Sequence, residues 1–258
     1  MLQFDDATAR ILETAYQGGD FRRRRRASFD ALDPSPGQFL ADIGCGNGLL
    51  TVDLARAAGP AGQVIGIDPS HDMLALARRR LEDLPQAWLE TGTAESLPIG
   101  DGELDGAVSL QVFEYLPDPA AAVREACRVL KTGGRLVLGD MHFGTLAWHS
   151  DLPERMERMK ASWNQHVENP ALPVRLPSIL NSNGFAVESI VPVTFSDTDL
   201  RPDGTARMMM ILMENYAVTR KHLSADEARA WAEEQEKLAA EGRFFFTLTH
   251  FVIAARKH

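Results

Sequence analysis

A chain of 258 residues has room for one substantial α/β core with additions, or for two small domains. Its net charge of −9 argues against a broad nucleic-acid footprint, which needs a basic face, and its apolar and charged shares are those of an ordinary globular protein. No apolar stretch is long enough to span a bilayer, the N-terminus lacks a signal-peptide pattern, and two cysteines are too few for a disulfide framework or a structural zinc site, so a reducing cytoplasm is expected.

In chain order, residues 5–17 read as a helix with Thr8, Ile11, Leu12 and Ala15 on one face. Residues 18–20 (GGD) break it, and 21–32 form a second helix carrying five arginines, Arg22–Arg26, read as a solvated face in so acidic a chain. Strands are expected at 38–44, 63–68, 87–92, 104–110 and 135–140. Between them come helices at 48–58, at 70–84 with Ser70 as cap, and at 118–130 with Asp118 as cap and Pro119 at the first position, where its missing N–H costs nothing. KTGG at 131–134 reads as a turn. The second half holds helices at 151–167, 174–185, 205–221 and 224–241, the last opened by a Ser224/Glu227 capping box, and strands at 186–195 and 243–257. Alternating helices and Val/Leu/Ile-rich strands are the signature of a parallel sheet covered on both faces. One domain over 1–258 is the simplest account: N-terminal helices over 1–33, a core over 34–140, and a cover built from 141–172 and 196–242.

The chemistry centres on DIGCGNG, residues 42–48, between the first strand and its helix. Gly44, Gly46 and Gly48 let backbone approach a ligand at the carboxyl end of the sheet. A dinucleotide would use G-x-G-x-x-G, but the spacing here is G-x-G-x-G, and Asp42 would repel a pyrophosphate. A ligand with a cationic amine and no phosphate reverses that argument, because Asp42 can accept its hydrogen bond. Asp68, twenty residues after Gly48 at the end of the second strand, is placed to hold a ribose diol. The turn after the third strand offers the Ala94 N–H and Glu95 to an adenine edge, and a fourth station follows the fourth strand at 109–118.

Taken as a set, LADIGCGNG, VIGIDPS, GTAESLPIGDGELDGAVSLQVFEYLPDP and REACRVLKTGGRLVLGD, within residues 38–140, resemble the class I S-adenosylmethionine-dependent methyltransferases, in the small-molecule branch similar to ubiquinone/menaquinone-type methyltransferases. The resemblance implies an α/β fold with a doubly wound seven-stranded sheet of order 3-2-1-4-5-7-6. Its last strand is antiparallel, which suits 243–257, and helical additions cover the active site. It implies S-adenosylmethionine as cofactor and S-adenosylhomocysteine as product. By position it puts Gly44, Cys45 and Gly46 beside the methionine part and Asp68, with Pro69, at the ribose. Met73 then falls on the adenine, Thr93, Ala94 and Glu95 at its edge, and Gln111 beside the sulfonium. Tyr16 and Arg25 become candidates for the cofactor's carboxylate end.

Such a reaction transfers a methyl group to O, N or C of a small, partly apolar molecule. It needs alignment above all, and a base only where the acceptor must lose a proton. His149, His142 and Glu114 are the candidates for positioning or base. RMMMILM (207–213) reads as helical core, with a flexible substrate wall as the other reading. No metal site is indicated, no nucleic-acid or membrane partner is expected, and a homodimer is left open. The competing readings are a nicotinamide-dependent oxidoreductase and a non-catalytic cofactor-binding scaffold.

Overall fold

Seven apolar runs become strands of one sheet in a computed structural model that describes residues 14–258, and their order is β3-β2-β1-β4-β5-β7-β6. The strands are β1 (Phe39–Ile43), β2 (Gln63–Asp68), β3 (Ala87–Thr91), β4 (Leu104–Leu110), β5 (Leu130–Trp148), β6 (Phe185–Asp197) and β7 (Phe246–Lys257). The first five are parallel; β7 runs antiparallel to both β5 and β6, as expected. Helices are α1 (Gly19–Leu32), α2 (Leu49–Ala58), α3 (His71–Arg80), α4 (Pro119–Val129), α5 (Pro153–Trp163), α6 (Leu176–Ser182), α7 (Thr205–Thr219) and α8 (Ala225–Ala240). The helix expected over 5–17 lies mostly outside the described residues; 14–17 are helical.

Cα packing separates two compact units. One takes 25–141, 171–192 and 251–258; the other takes 142–170 and 193–250 with the described residues up to Arg24. We call them the sheet-core unit and the cap unit. Segments 141–172 and 196–242, expected as a cover, fall almost wholly in the cap unit.

In the sheet-core unit, β1 pairs with β2 from Phe39↔Gln63 to Ile43↔Ile67 and with β4 from Leu40↔Gly106 to Ile43↔Ser109. Leu40, Ala41, Ile43, Val64, Ile65, Ile67, Ala107 and Val108 are all essentially unexposed, because each strand is covered on both faces. Each such Val, Leu or Ile contributes roughly 1.5–3 kcal/mol. Asp118 caps α4 by accepting from the N–H groups of Ala120 and Ala121 at 3.0 and 3.2 Å, with Pro119 at the first position. The KTGG segment does not end a strand. It is a bulge within β5, since Leu104↔Leu130 is followed by Gly106↔Arg135 in the β4–β5 ladder. Gly133, at φ 80°, absorbs the extra length.

The cap unit is built on aromatic and methionine packing. The Trp148 indole donates to Gln235 Oε1 at 2.9 Å, and its ring meets Trp231, Phe244 and Phe246 edge-on. On α7, Met208, Met209, Met210 and Met213 are all buried, so RMMMILM is core. The Ser224/Glu227 capping box of α8 is present, with both reciprocal hydrogen bonds made.

Two expectations near the N-terminus change. The chain is helical again from Gly19, so GGD interrupts it only at Gly18. The arginine run is not uniformly solvated: Phe21, Arg24, Ser28 and Leu32, at spacings of three and four, form the buried stripe of α1. Arg24 is 8 % exposed, with its guanidinium 4.2 Å from the Phe21 ring centre. Arg23 and Arg26 pair with Asp20 and Asp30 on their own helix.

Candidate functional site

At the carboxyl end of β1 the chain turns sharply. Gly44 N–H and Cys45 N–H both donate to Ile67 O, at 2.7 and 2.9 Å, which binds the start of the loop to β2. Gly44, Gly46 and Gly48 have φ of 72°, 53° and 81°, a region that other residues enter only with strain. Each glycine also meets something different. A Cβ on Gly44 would lie 2.2 Å from Val112 Cγ2, and one on Gly48 2.8 Å from Ala77 Cβ, so those two are packing glycines. A Cβ on Gly46 would meet nothing within 4 Å among the described residues. Gly46 therefore faces open space, with room for a ligand to reach its backbone.

Asp68 closes the other side. One carboxylate oxygen accepts from Gly46 N–H at 2.9 Å, and the other from Ser70 N–H at 2.9 Å. Each oxygen keeps a lone pair for a further donor. Ser70 then caps α3 through Met73 N–H at 3.3 Å, and both Met73 and Pro69 are exposed.

Asp42 is 2 % exposed and accepts from the Thr51 hydroxyl at 2.6 Å. Burial pushes its pKa up to about 7; the Thr51 hydrogen bonds oppose that, and the charges of Asp68 and Asp53 add to it. A cationic ligand group would offset both causes of the rise. Cys45 is buried too, and burial with the charges of Asp42 and Asp68 pushes its thiol upward. It stays a neutral packing group, not a nucleophile.

After β3, Thr93 and Ser96 form an antiparallel bridge, and Ser96 N–H returns to Thr93 O at 3.1 Å. Ala94 is buried at this turn and Glu95 is exposed. The turn is clamped from α4: Glu125 accepts from Leu97 N–H at 2.8 Å and is held by Arg128 at 2.7 Å, which keeps the Glu125 carboxyl below the usual range. After β4, Gln111 has φ 59°, unusual for a residue with a side chain, and its N–H reaches Gly139 O at 2.6 Å. The next residue, Val112, is the one that covers Gly44.

The structure thus gathers Asp42, Gly44, Cys45, Gly46 and Asp68 around one loop, with Gln111 adjoining through Val112. Arg25 pairs with Asp53 of α2 at 3.3 Å. Tyr16 belongs to the cap unit, where its ring meets Phe21 edge-on. Glu114 is fully buried; it accepts from Met141 N–H at 2.9 Å, while its own N–H donates to Asp140 at 3.1 Å, so it fastens the middle of β5. His142 and His149 lie in the cap unit. The His142 ring lies over Gly144, and His149 Nε2 is 3.7 Å from Asp151, with 43 % of its side chain exposed. Sequence reasoning missed Thr51. Its signal was a hydroxyl in the first turn of the helix that follows the glycines.

A separate cavity of about 340 Å³ lies at the amino ends of β1, β4 and β5, the opposite end from Gly46. Its three cations are matched: Lys131 meets Asp105 at 2.5 Å, and Arg135 and Arg256 meet Glu188 at 3.1 and 2.5 Å.

Residues 41–138 match the family described as "Methyltransferase domain". The chain is 35 % identical over 238 residues to a 37.1 kDa protein of transposon TN4556 from Streptomyces fradiae, covering 91 % of this chain and 67 % of that protein. It is 34 % identical over 134 residues to demethylmenaquinone methyltransferase of Desulfitobacterium hafniense, covering 51 % of this chain and 53 % of that enzyme. The chain spans about half the length of the demethylmenaquinone methyltransferases it matches. Among solved structures, the YcgJ protein of Bacillus subtilis aligns over 92 % of this chain and 99 % of its own with a TM-score of 0.64; at 20 % identity that likeness speaks to the fold.

Proposed function

We propose that this chain, which carries a match to the methyltransferase domain over residues 41–138, is a class I S-adenosylmethionine-dependent methyltransferase that transfers a methyl group from S-adenosylmethionine to an O, N or C atom of a small, partly apolar molecule. The observation that carries the reading is the open space at Gly46, whose N–H donates to the Asp68 carboxylate, with Asp42 buried on the strand that leads into the loop. Two carboxylates at one glycine loop suit a cationic amino-acid nucleoside and oppose a diphosphate.

S-adenosylmethionine, when bound, supplies a methyl group on a positively charged sulfur, already activated for displacement. The protein's part is binding and alignment. Gly44, Cys45 and Gly46 offer their backbone to the amino-acid part, and Asp42 receives its ammonium charge directly or through water. Asp68 accepts from the ribose hydroxyls with the lone pairs left by Gly46 and Ser70. Met73, Pro69, Thr93, Ala94 and Glu95 hold the adenine. Gln111 stands at the sulfonium end, and Tyr16 and Arg25 serve the cofactor's carboxylate. His142 and His149 are the positioners or bases for the acceptor, and Glu114 is the third candidate.

Calorimetry with S-adenosylhomocysteine tests the reading. A folded sample should bind it, Asp68→Ala should bind at least roughly tenfold more weakly, and NADH should show no saturable fluorescence change. Saturable NADH binding, with none of S-adenosylhomocysteine, would replace it with the nicotinamide reading.

A further inference from the structure

Asp140 lies on β5 in the sheet-core unit, one residue past Gly139, which pairs with Leu110 at the end of β4, and it is 1 % exposed. A buried carboxylate is costly unless hydrogen bonds are aimed at it. Asp140 Oδ1 accepts from Glu114 N–H at 3.1 Å, and Glu114 Oε2 accepts from Met141 N–H at 2.9 Å. The two hydrogen bonds are reciprocal: one acid takes the N–H of the other, which in turn takes the N–H of its partner's neighbour. A third bond, from Gln111 N–H to Gly139 O at 2.6 Å, ties the same segment to the same strand.

Val112 sits between these anchors, with Gln111 before it and Glu114 two residues after it. Gln111 is held at φ 59°, and a residue with a side chain keeps that conformation only where its surroundings enforce it. Val112 O accepts from Tyr115 N–H at 3.0 Å, closing a short helical turn whose Phe113 is fully buried. The segment delivers one contact to the glycine loop. A Cβ on Gly44 would lie 2.2 Å from Val112 Cγ2, and the three atoms nearest that point all belong to Val112. Val112 therefore presses on the first glycine of the loop, two residues before the open space at Gly46.

We propose that Asp140 is a positioning residue for the cofactor, acting through Glu114 N–H and Val112. By fixing the segment after β4 to β5, it holds Val112 against Gly44 and so sets the glycine loop in the form that leaves Gly46 open. The assignment rests on the methyl-transfer reading and deepens it, since neither Asp140 nor Val112 is among the residues that reading places at the cofactor. A residue that only held the sheet together would be equivalent to any other core residue of β5. Asp140 differs because its hydrogen bond goes to the segment beyond β4 and not to the strand ladder.

Calorimetry of the full chain with S-adenosylhomocysteine tests it, with a melting curve taken on each sample. Asp140→Ala should bind roughly tenfold more weakly than wild type, and Asp140→Asn, which keeps an oxygen for Glu114 N–H, within about threefold of it. Leu136→Ala, at a fully buried position on the same strand, should melt lower yet bind within about twofold of wild type. Val112→Ala should fold and bind roughly threefold to tenfold more weakly. Adding Asp140→Ala to it should weaken binding by less than about threefold more, because the two residues act along one line. Unweakened binding by Asp140→Ala, an equal loss in Leu136→Ala, or full additivity in the double variant would each overturn the proposal. If Asp140→Ala does not fold, Val112→Ala decides: weaker binding supports the clamp and unchanged affinity overturns it. Failure of wild type to bind S-adenosylhomocysteine would instead defeat the methyl-transfer reading, and this inference with it.

Discussion

The Thr51 hydroxyl, in the first turn of α2, donates a 2.6 Å hydrogen bond to the buried carboxylate of Asp42, one residue before the end of β1. It is the strongest local support for a charge that burial and two neighbouring carboxylates disfavour. The pair makes the site sensitive to pH in a definite direction.

With its pKa raised from 3.8 to about 7, Asp42 holds a proton in the folded chain that the unfolded chain has already lost. Ligand-free stability should therefore fall as pH rises from about 4 to about 7, by on the order of a few kcal/mol from this group. Asp42→Asn should flatten that part of the profile, read by urea unfolding at a series of pH values.

Cofactor affinity should run the other way. A ligand ammonium favours ionised Asp42, so S-adenosylhomocysteine should bind more tightly as pH rises through about 7, and Asp42→Asn should remove the dependence. Thr51→Val keeps the volume and loses the hydroxyl. It should shift the midpoint upward and cost about 1–2 kcal/mol of stability. A profile unchanged by either substitution would show that the ammonium sits elsewhere.

Gly44→Ala and Gly46→Ala should separate packing from binding. Both positions have positive φ, so both variants carry about 1–2 kcal/mol of backbone strain. Only at Gly44 does the new methyl run into a side chain, Val112, and that variant should melt at the lower temperature. Gly46→Ala should melt closer to wild type yet lose S-adenosylhomocysteine affinity, because the methyl enters the open space at which the cofactor is proposed to bind.

Asp20 should matter for stability alone. Burial would raise its pKa, but Thr205 N–H, Arg23 and Arg201 hold the carboxyl below the usual range. Its contribution is present above about pH 4 and is lost as pH falls through the lowered folded value. Asp20→Asn should cost about 2 kcal/mol at neutral pH and less in acid, by denaturant unfolding.

Much of the fold was legible because its signals are local. Apolar β-branched runs, Pro119 behind Asp118, and the Ser224/Glu227 box each depend on a few neighbouring residues. The glycine loop and Asp68 were legible for the same reason: left-handed turns and strand-end acids are written in short stretches. KTGG shows the limit, since the same residues serve a turn or a bulge and only the β4 partner decides.

By itself, then, the amino-acid order determined most element types, the glycine loop and the acids beside it, Asp42 and Asp68. Only the tertiary structure decided that Arg24 is buried while Arg23 and Arg26 meet solvent, that RMMMILM is core, that Asp42 is pushed toward neutral pH, and that His250 is sealed inside with no hydrogen-bond partner among the described residues. The reason is physical. Conformational preference is set within a few bonds, whereas burial, and with it the cost of a charge or an unmet hydrogen bond, depends on which distant segments arrive to exclude water.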